Sequence, residues 1–198
     1  MKTKGNFIVI YGTNNLGKST QAKLLVERFK KANMDVVYLK YPIYNLKPTG
    51  PNINEILRSG KIQTMDEIEL QKLYTQNRTD FEPQLKDMLE NGKTVVAEDY
   101  IGTGIAWGLT KGADLAILES QNKNLIKEDI SILLDGKPFT ESREENHIHE
   151  TRDDLMKKCR NNLKFLAQKY NWKIIDANQS IDDISEQIWQ HISSDVSL

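Results

Sequence analysis

The chain has 198 residues, 28% of them charged, with a formal net charge of −1. That length supports one domain with a substantial core, and the near-neutral balance gives no electrostatic basis for bulk nucleic-acid or membrane association. A lone cysteine, Cys159, excludes an intrachain disulfide, and the first apolar run is too short for a signal segment or a membrane span, so the chain reads as soluble and cytoplasmic. In chain order, "FIVIY" (Phe7–Tyr11) is a predicted strand, and Lys18–Ala32 is a predicted helix with Ala22, Leu25, Val26 and Phe29 on one face. "VVYLKY" (Val36–Tyr41) is a second strand, followed by the turn-rich stretch Pro42–Pro51. Met65–Asn91 has helical periodicity, and its Pro83 is expected to kink or divide it. Strands three and four are Thr94–Asp99 and Ile130–Asp135. The polar segment Gly136–Glu150 comes next, then a helix over Thr151–Tyr170, a strand over Trp172–Ala177 and a helix over Ser180–Ile192. The strands are short, β-branched and continuously apolar, the pattern of strands buried on both faces of a parallel sheet. Their alternation with helices predicts an open α/β sheet with five parallel strands and helices on both faces. Ligands of such sheets sit beyond the carboxyl ends of the strands, which makes Pro42–Pro51 a candidate substrate loop and Gly136–Glu150 a candidate lid.

"GTNNLGKST" (Gly12–Thr20) follows the first strand and opens the first helix, and it matches G-x-x-x-x-G-K-[ST]. Gly12, Thr13, Asn14, Asn15, Leu16, Gly17, Lys18, Ser19 and Thr20 are therefore expected to hold a nucleoside triphosphate. Glycines let backbone amides converge on phosphate oxygens, and the helix N-terminus adds positive potential. Lys18 can reach the β- and γ-phosphates, and the Ser19 hydroxyl can take a Mg²⁺ site. A GTPase is disfavoured, because the one approximation to N-K-x-D is "NKNL" and ends in Leu125. A motor ATPase would be longer. A small kinase fits the length and the lid-like segment.

Past this loop, "TGPNINEIL" (Thr49–Leu57), "LYTQNRTDFEPQL" (Leu73–Leu85), "DYIGTGIAWG" (Asp99–Gly108), "NHIHE" (Asn146–Glu150) and "NWKIIDANQSIDDI" (Asn171–Ile184) resemble, in order, segments of the thymidylate kinase family. The resemblance spans nearly the whole chain. It implies a P-loop NTPase fold, a single nucleoside monophosphate kinase domain over 1–198 with a lid at about 136–150, ATP and Mg²⁺ as cofactors, and a homodimer. It implies that Tyr74 stacks on a thymine ring and that Arg78 bonds the base edge. Thr103, Gly104 and Trp107 would line the nucleoside pocket, with Tyr41, Pro42 and Tyr100 completing the substrate set. Lys18, Arg143 and Asp99 would be the catalytic group, with Arg143 the lid arginine, and Ser19 and Glu98 would hold the metal. The implied reaction is ATP-dependent phosphorylation of dTMP to dTDP.

Three positions depart from the family's pattern. The third P-loop residue is Asn14, where the family usually has an acid. No arginine follows Pro42 closely; Tyr44 and Lys47 are the nearest candidates, with Lys40 just upstream. The Asp-Arg-Tyr triplet reads Glu98-Asp99-Tyr100, so a carboxylate stands where the acceptor phosphate would meet a guanidinium. A kinase for a deoxynucleoside or another nucleotide, and a catalytically silent nucleotide binder, stay open at this stage. His147 and His149 form a pair with no cysteine cluster to complete a zinc site.

Overall fold

The computed structural model describes residues 4–58, 65–137 and 148–195. Arg143, His147 and most of the expected lid lie outside them. The strands are β1 (Phe7–Tyr11), β2 (Val36–Lys40), β3 (Thr94–Glu98), β4 (Ile130–Asp135) and β5 (Lys173–Asp176). The helices are α1 (Lys18–Lys31), α2 (Thr49–Arg58), α3 (Glu67–Glu90), α4 (Ile101–Thr110), α5 (Leu115–Asn122), α6 (Ile148–Lys169) and α7 (Ile181–Asp195).

All strand pairs are parallel, in the order β2-β3-β1-β4-β5. The continuous apolar character of β1 has a direct cause in this order: it is the central strand and every residue in it is buried. Successive side chains point to opposite faces. Phe7, Val9 and Tyr11 join the core under α3, α4, α5 and α6, whereas Ile8 and Ile10 join the core under α1 and α7. The second face is closed by Ala22, Leu25, Val26 and Phe29 of α1 against Ile184, Ile188 and Ile192 of α7. The helical stripe expected from 18 to 32 is thus the buried one.

Several expectations change. Helix α3 is not divided: it runs through Pro83. Pro83 and Thr79 are both exposed, so the carbonyl that the missing N–H would have engaged is free to face solvent. The stretch Pro42–Pro51 is only partly loop, because α2 begins at Thr49 and places Pro51 in its first turn, where a missing N–H costs nothing. Residues 148–150, expected in the lid, form the first turn of α6. Helices α4 and α5 carry the chain from β3 back toward β4 and were not apparent from periodicity. Among the described residues, no helix is long and apolar enough to cross a membrane.

Candidate active site

The carboxyl ends of β1, β2 and β3 meet the start of α1, and a cleft of about 820 Å³ opens there. Its floor is the loop between β1 and α1. Asn15 and Gly17 hold left-handed backbone angles, φ 61° and 78°. Glycine adopts that region without a steric cost, and asparagine tolerates it better than most residues. Gly17 sits at the N-terminus of α1, so the helix's unpaired amides lie at the loop. The loop's lysine is folded back over it. Lys18 Nζ donates to the carbonyls of Gly12 (2.8 Å) and Thr13 (2.9 Å) and lies 3.9 Å from Asp99 Oδ1. Asn14 through Thr20 line the cleft, whereas Gly12 and Thr13 act from behind it through those carbonyls.

Two adjacent carboxylates at the end of β3 have different surroundings. Glu98 is fully buried and accepts from the Ser19 hydroxyl (2.9 Å), from Lys40 Nζ (3.2 Å) and from the Tyr38 hydroxyl. Asp99 has a left-handed φ of 56°, which turns its side chain from the path of Glu98 toward the Thr103 hydroxyl at 2.8 Å and toward Lys18. Burial raises the Asp99 pKa above the ordinary carboxylate value, while Lys18 and the Thr103 hydrogen bond pull against that rise.

Ser19 and Glu98 together suit a hard divalent cation. A hydroxyl and a buried carboxylate oxygen stand side by side, and Mg²⁺ is commonly held by one or two protein groups together with water and substrate phosphates. Among the described residues, no group of three or more His, Cys, Asp and Glu could hold a metal, so no all-protein cage forms there.

The far half of the cleft is walled by α3 and α4. Tyr74 and Arg78 of α3 line it with Thr103, Gly104 and Trp107 of α4 and with Tyr41 and Pro42 beyond β2. Arg78 is 5% exposed. Its Nη2 donates to the Tyr100 carbonyl (2.9 Å) and its Nη1 to Asn122 Oδ1 (3.1 Å), which fixes the plane of the guanidinium. Burial lowers its pKa, with the surrounding tyrosines opposing; an arginine remains charged regardless. Arg78 Nε and the Tyr41 hydroxyl are buried and make no hydrogen bond to the protein. Burial pushes the Tyr74 phenol up to about 12, so it is neutral in the physiological range. Tyr100 lines the cleft but is mainly a core residue. Its hydroxyl donates to the Ile126 carbonyl (3.1 Å) and its ring packs edge-on against Phe7.

Every expected substrate-side residue therefore meets the phosphate loop in one cleft, with Arg143 outside the described residues. Lys47 is exposed and absent from the cleft wall, whereas Lys40 lines it. Tyr38 and Asn77 were missed from sequence. Asn77 accepts from the Ile43 amide (2.7 Å) and donates to the Ile43 carbonyl (3.1 Å), pinning the segment after Pro42 to α3. A polar residue on the buried face of α3 was its available signal. For Tyr38 the local signal was strand parity, which puts it on the same face of β2 as Lys40; the register that sets Lys40 against Glu98 is seen only in the fold.

The family model for thymidylate kinase matches residues 10–188. The chain is 32% identical over 193 residues to the putative thymidylate kinase 251L of Invertebrate iridescent virus 6, covering 95% of this chain and 88% of that protein. It is 31% identical over 198 residues to the thymidylate kinase of Plasmodium falciparum, covering 97% and 91%. A solved structure of thymidylate kinase from Candida albicans is similar with a TM-score of 0.82 at 25% identity, covering 97% of this chain and 92% of that one.

Proposed function

The chain belongs to the thymidylate kinase family, and from that premise we propose that it transfers the γ-phosphoryl group of ATP to dTMP, giving ADP and dTDP. The observation that carries this reading is the single cleft in which the phosphate loop faces Tyr74 and Arg78. One half suits a polyphosphate and the other a flat, carbonyl-bearing ring. Tyr74 offers an aromatic face for stacking, and Arg78 offers donors whose orientation is already set by Tyr100 and Asn122. Trp107 and Thr103 would close the sides of the nucleoside.

Phosphoryl transfer asks for alignment and charge neutralisation more than for covalent chemistry. Lys18 would leave the carbonyls of Gly12 and Thr13 for the β- and γ-oxygens of ATP. Ser19 and Glu98 would hold Mg²⁺, which when bound supplies charge neutralisation at the phosphates. Asp99 would orient the acceptor and restrain Lys18. Arg143 would reach the transferring group from the segment after β4. No strong general base is required, because the acceptor phosphate oxygen of dTMP is already anionic. A homodimer and a cytoplasmic location belong to the same proposal.

A second reading has a specific observation behind it. Asp99, a carboxylate beside Lys18 and Thr103, could accept a proton from the 5′-hydroxyl of a deoxynucleoside. ADP release measured side by side with dTMP, dUMP and thymidine separates the two. Turnover greatest with dTMP supports the proposal; turnover restricted to thymidine replaces it with the nucleoside kinase. ATP binding without transfer to any of the three overturns both.

A further inference from the structure

Glu98 is fully buried, yet three side chains donate to it. The Ser19 and Tyr38 hydroxyls bring no charge. Lys40 alone among them brings a cation, 3.2 Å from Oε2. A buried carboxylate stripped of its counter-charge is strongly disfavoured, so Lys40 can leave only if another cation replaces it. Lys40 Nζ also lies 3.5 Å from Ser19 Oγ. The ammonium thus rests against both groups proposed to hold Mg²⁺ and competes with a divalent cation for the same oxygen lone pairs.

The stem of Lys40 permits movement. Its side chain is 50% exposed, and a lysine ammonium on four methylenes redirects readily. Its next neighbours, Tyr41 and Pro42, line the acceptor half of the cleft, so Lys40 is rooted at the border between the donor loop and the acceptor wall. The cleft's other described cations are engaged elsewhere. Arg78 is held by Tyr100 and Asn122 and Lys111 by Glu67 at 3.1 Å, whereas Lys18, now on the loop carbonyls, is committed to the donor phosphates.

We propose that Lys40 is the acceptor-phosphate residue, held in reserve on Glu98 until metal–nucleotide occupies Ser19 and Glu98. This rests on the dTMP kinase reading and supplies the cation that the triplet Glu98-Asp99-Tyr100 lacks. Lys40 then couples the two substrates: dTMP meets a free ammonium only in the presence of the metal–nucleotide complex. Thymidine has no phosphate and is indifferent to it.

Calorimetric titration of dTMP and of thymidine, each with and without MgADP, tests the coupling at equilibrium and without turnover. In the wild type, MgADP should tighten dTMP at least about tenfold and leave thymidine unchanged. Lys40→Met should lose that gain, and Lys40→Arg should retain most of it. In thermal-shift titrations with ADP, Lys40→Met should also need less Mg²⁺ to reach half of its full effect. A dTMP gain that persists in Lys40→Met overturns the proposal. The double variant Lys40→Met/Glu98→Gln isolates the remaining case. If dTMP stays weak the phosphate contact is supported; if tight dTMP binding returns, Lys40 only neutralised Glu98 and the proposal falls. Should wild type bind neither dTMP nor thymidine under any condition, the kinase reading itself fails, a result distinct from loss of the Lys40 effect.

Discussion

Arg78 is placed by contacts on three sides, and Gly104 supplies the third. A Cβ added at Gly104 would lie 2.7 Å from Arg78 Nη2 and 2.9 Å from Gln71 Oε1. Neither side chain can yield easily, because Arg78 is bonded to Tyr100 and Asn122 and Gln71 donates to Glu67 at 2.8 Å. Gly104→Ala should therefore displace the guanidinium and raise the KM for dTMP about tenfold, the scale of one perturbed charge-assisted hydrogen bond of ~1.5 kcal/mol, while the KM for ATP stays put. Initial-rate kinetics with each substrate varied in turn would show it, and an equal rise in both constants would contradict the placement. Lys18→Ala should reduce kcat by about 10²–10³, the usual cost of one lost electrostatic contact to the transferring group, with the thermal midpoint little changed. Lys18, Gly17 and Ser19 were legible in the sequence because one contiguous loop fixes their spacing. Tyr74 and Arg78 were picked out by the resemblance to the thymidylate kinase family and not by spacing, because on their own an aromatic on an apolar helical stripe reads as core and an arginine as surface. Lys40 and Tyr38 matter through their register with Glu98, and register between distant strands is not encoded in any local spacing. The deviation of Asp99 toward Thr103 depends on one backbone angle, which no pattern of residue types announces.

At the scale of elements, β4 is tied to α6 by an ion pair and to the turn after β5 by an amide clasp. Arg160 Nε and Nη2 donate to the two oxygens of Asp135 at 2.5 and 3.0 Å, with Lys164 Nζ 3.7 Å away. Two residues on, Asn178 accepts from the Lys137 amide (2.9 Å) and donates to the Lys137 carbonyl (3.1 Å). These contacts set where the chain leaves β4 toward the segment that carries Arg143. Burial alone would raise the Asp135 pKa, but the Arg160 hydrogen bonds and the charges of Arg160 and Lys164 outweigh it and hold the carboxyl below its usual value. A depressed carboxylate pKa stabilises the fold above the unfolded value of ~3.9 and ceases to do so as the pH falls through the folded value. Asp135→Asn should thus cost about 1 kcal/mol at neutral pH, since Arg160 is partly exposed and the pair is screened. The gap should be constant down to about pH 5 and close below ~4, as followed by urea midpoints across pH. A gap that widened in acid would reverse the assignment. Elements with a clean period were readable, α1 and α7 among them. Helix α4 was not, because "IGTGIAWGLT" is apolar nearly all round and packs into the core on several sides, leaving no stripe to detect. Helix α2 was hidden by Thr49-Gly50-Pro51, which reads as a turn but here opens a helix.

For the whole molecule, the decisive property is that one cleft joins two half-sites built on different elements. The donor half belongs to the β1–α1 loop and the end of β3, the acceptor half to α3, α4 and the chain after β2. Their two key cations share no partner, since Lys18 is fixed by Gly12, Thr13 and Asp99 and Arg78 by Tyr100 and Asn122; the side chain of Asp99 touches both halves, because it also accepts from Thr103. Mutations in contact-independent sites act separately, and a ligand that binds only the folded state stabilises it by mass action, about 2.7 kcal/mol at a hundredfold excess over Kd. For a domain of this length that corresponds to a rise in Tm of roughly 5–10 °C. ADP and thymidine, the latter probing the base pocket without a phosphate, should each raise the Tm of the wild type. Lys18→Ala should lose most of the ADP increment and keep that of thymidine. Arg78→Ala should do the reverse, each measured against the variant's own unliganded Tm. Loss of both increments in either variant would mean that the halves are not separately anchored, and the division of the cleft drawn from these contacts would be wrong.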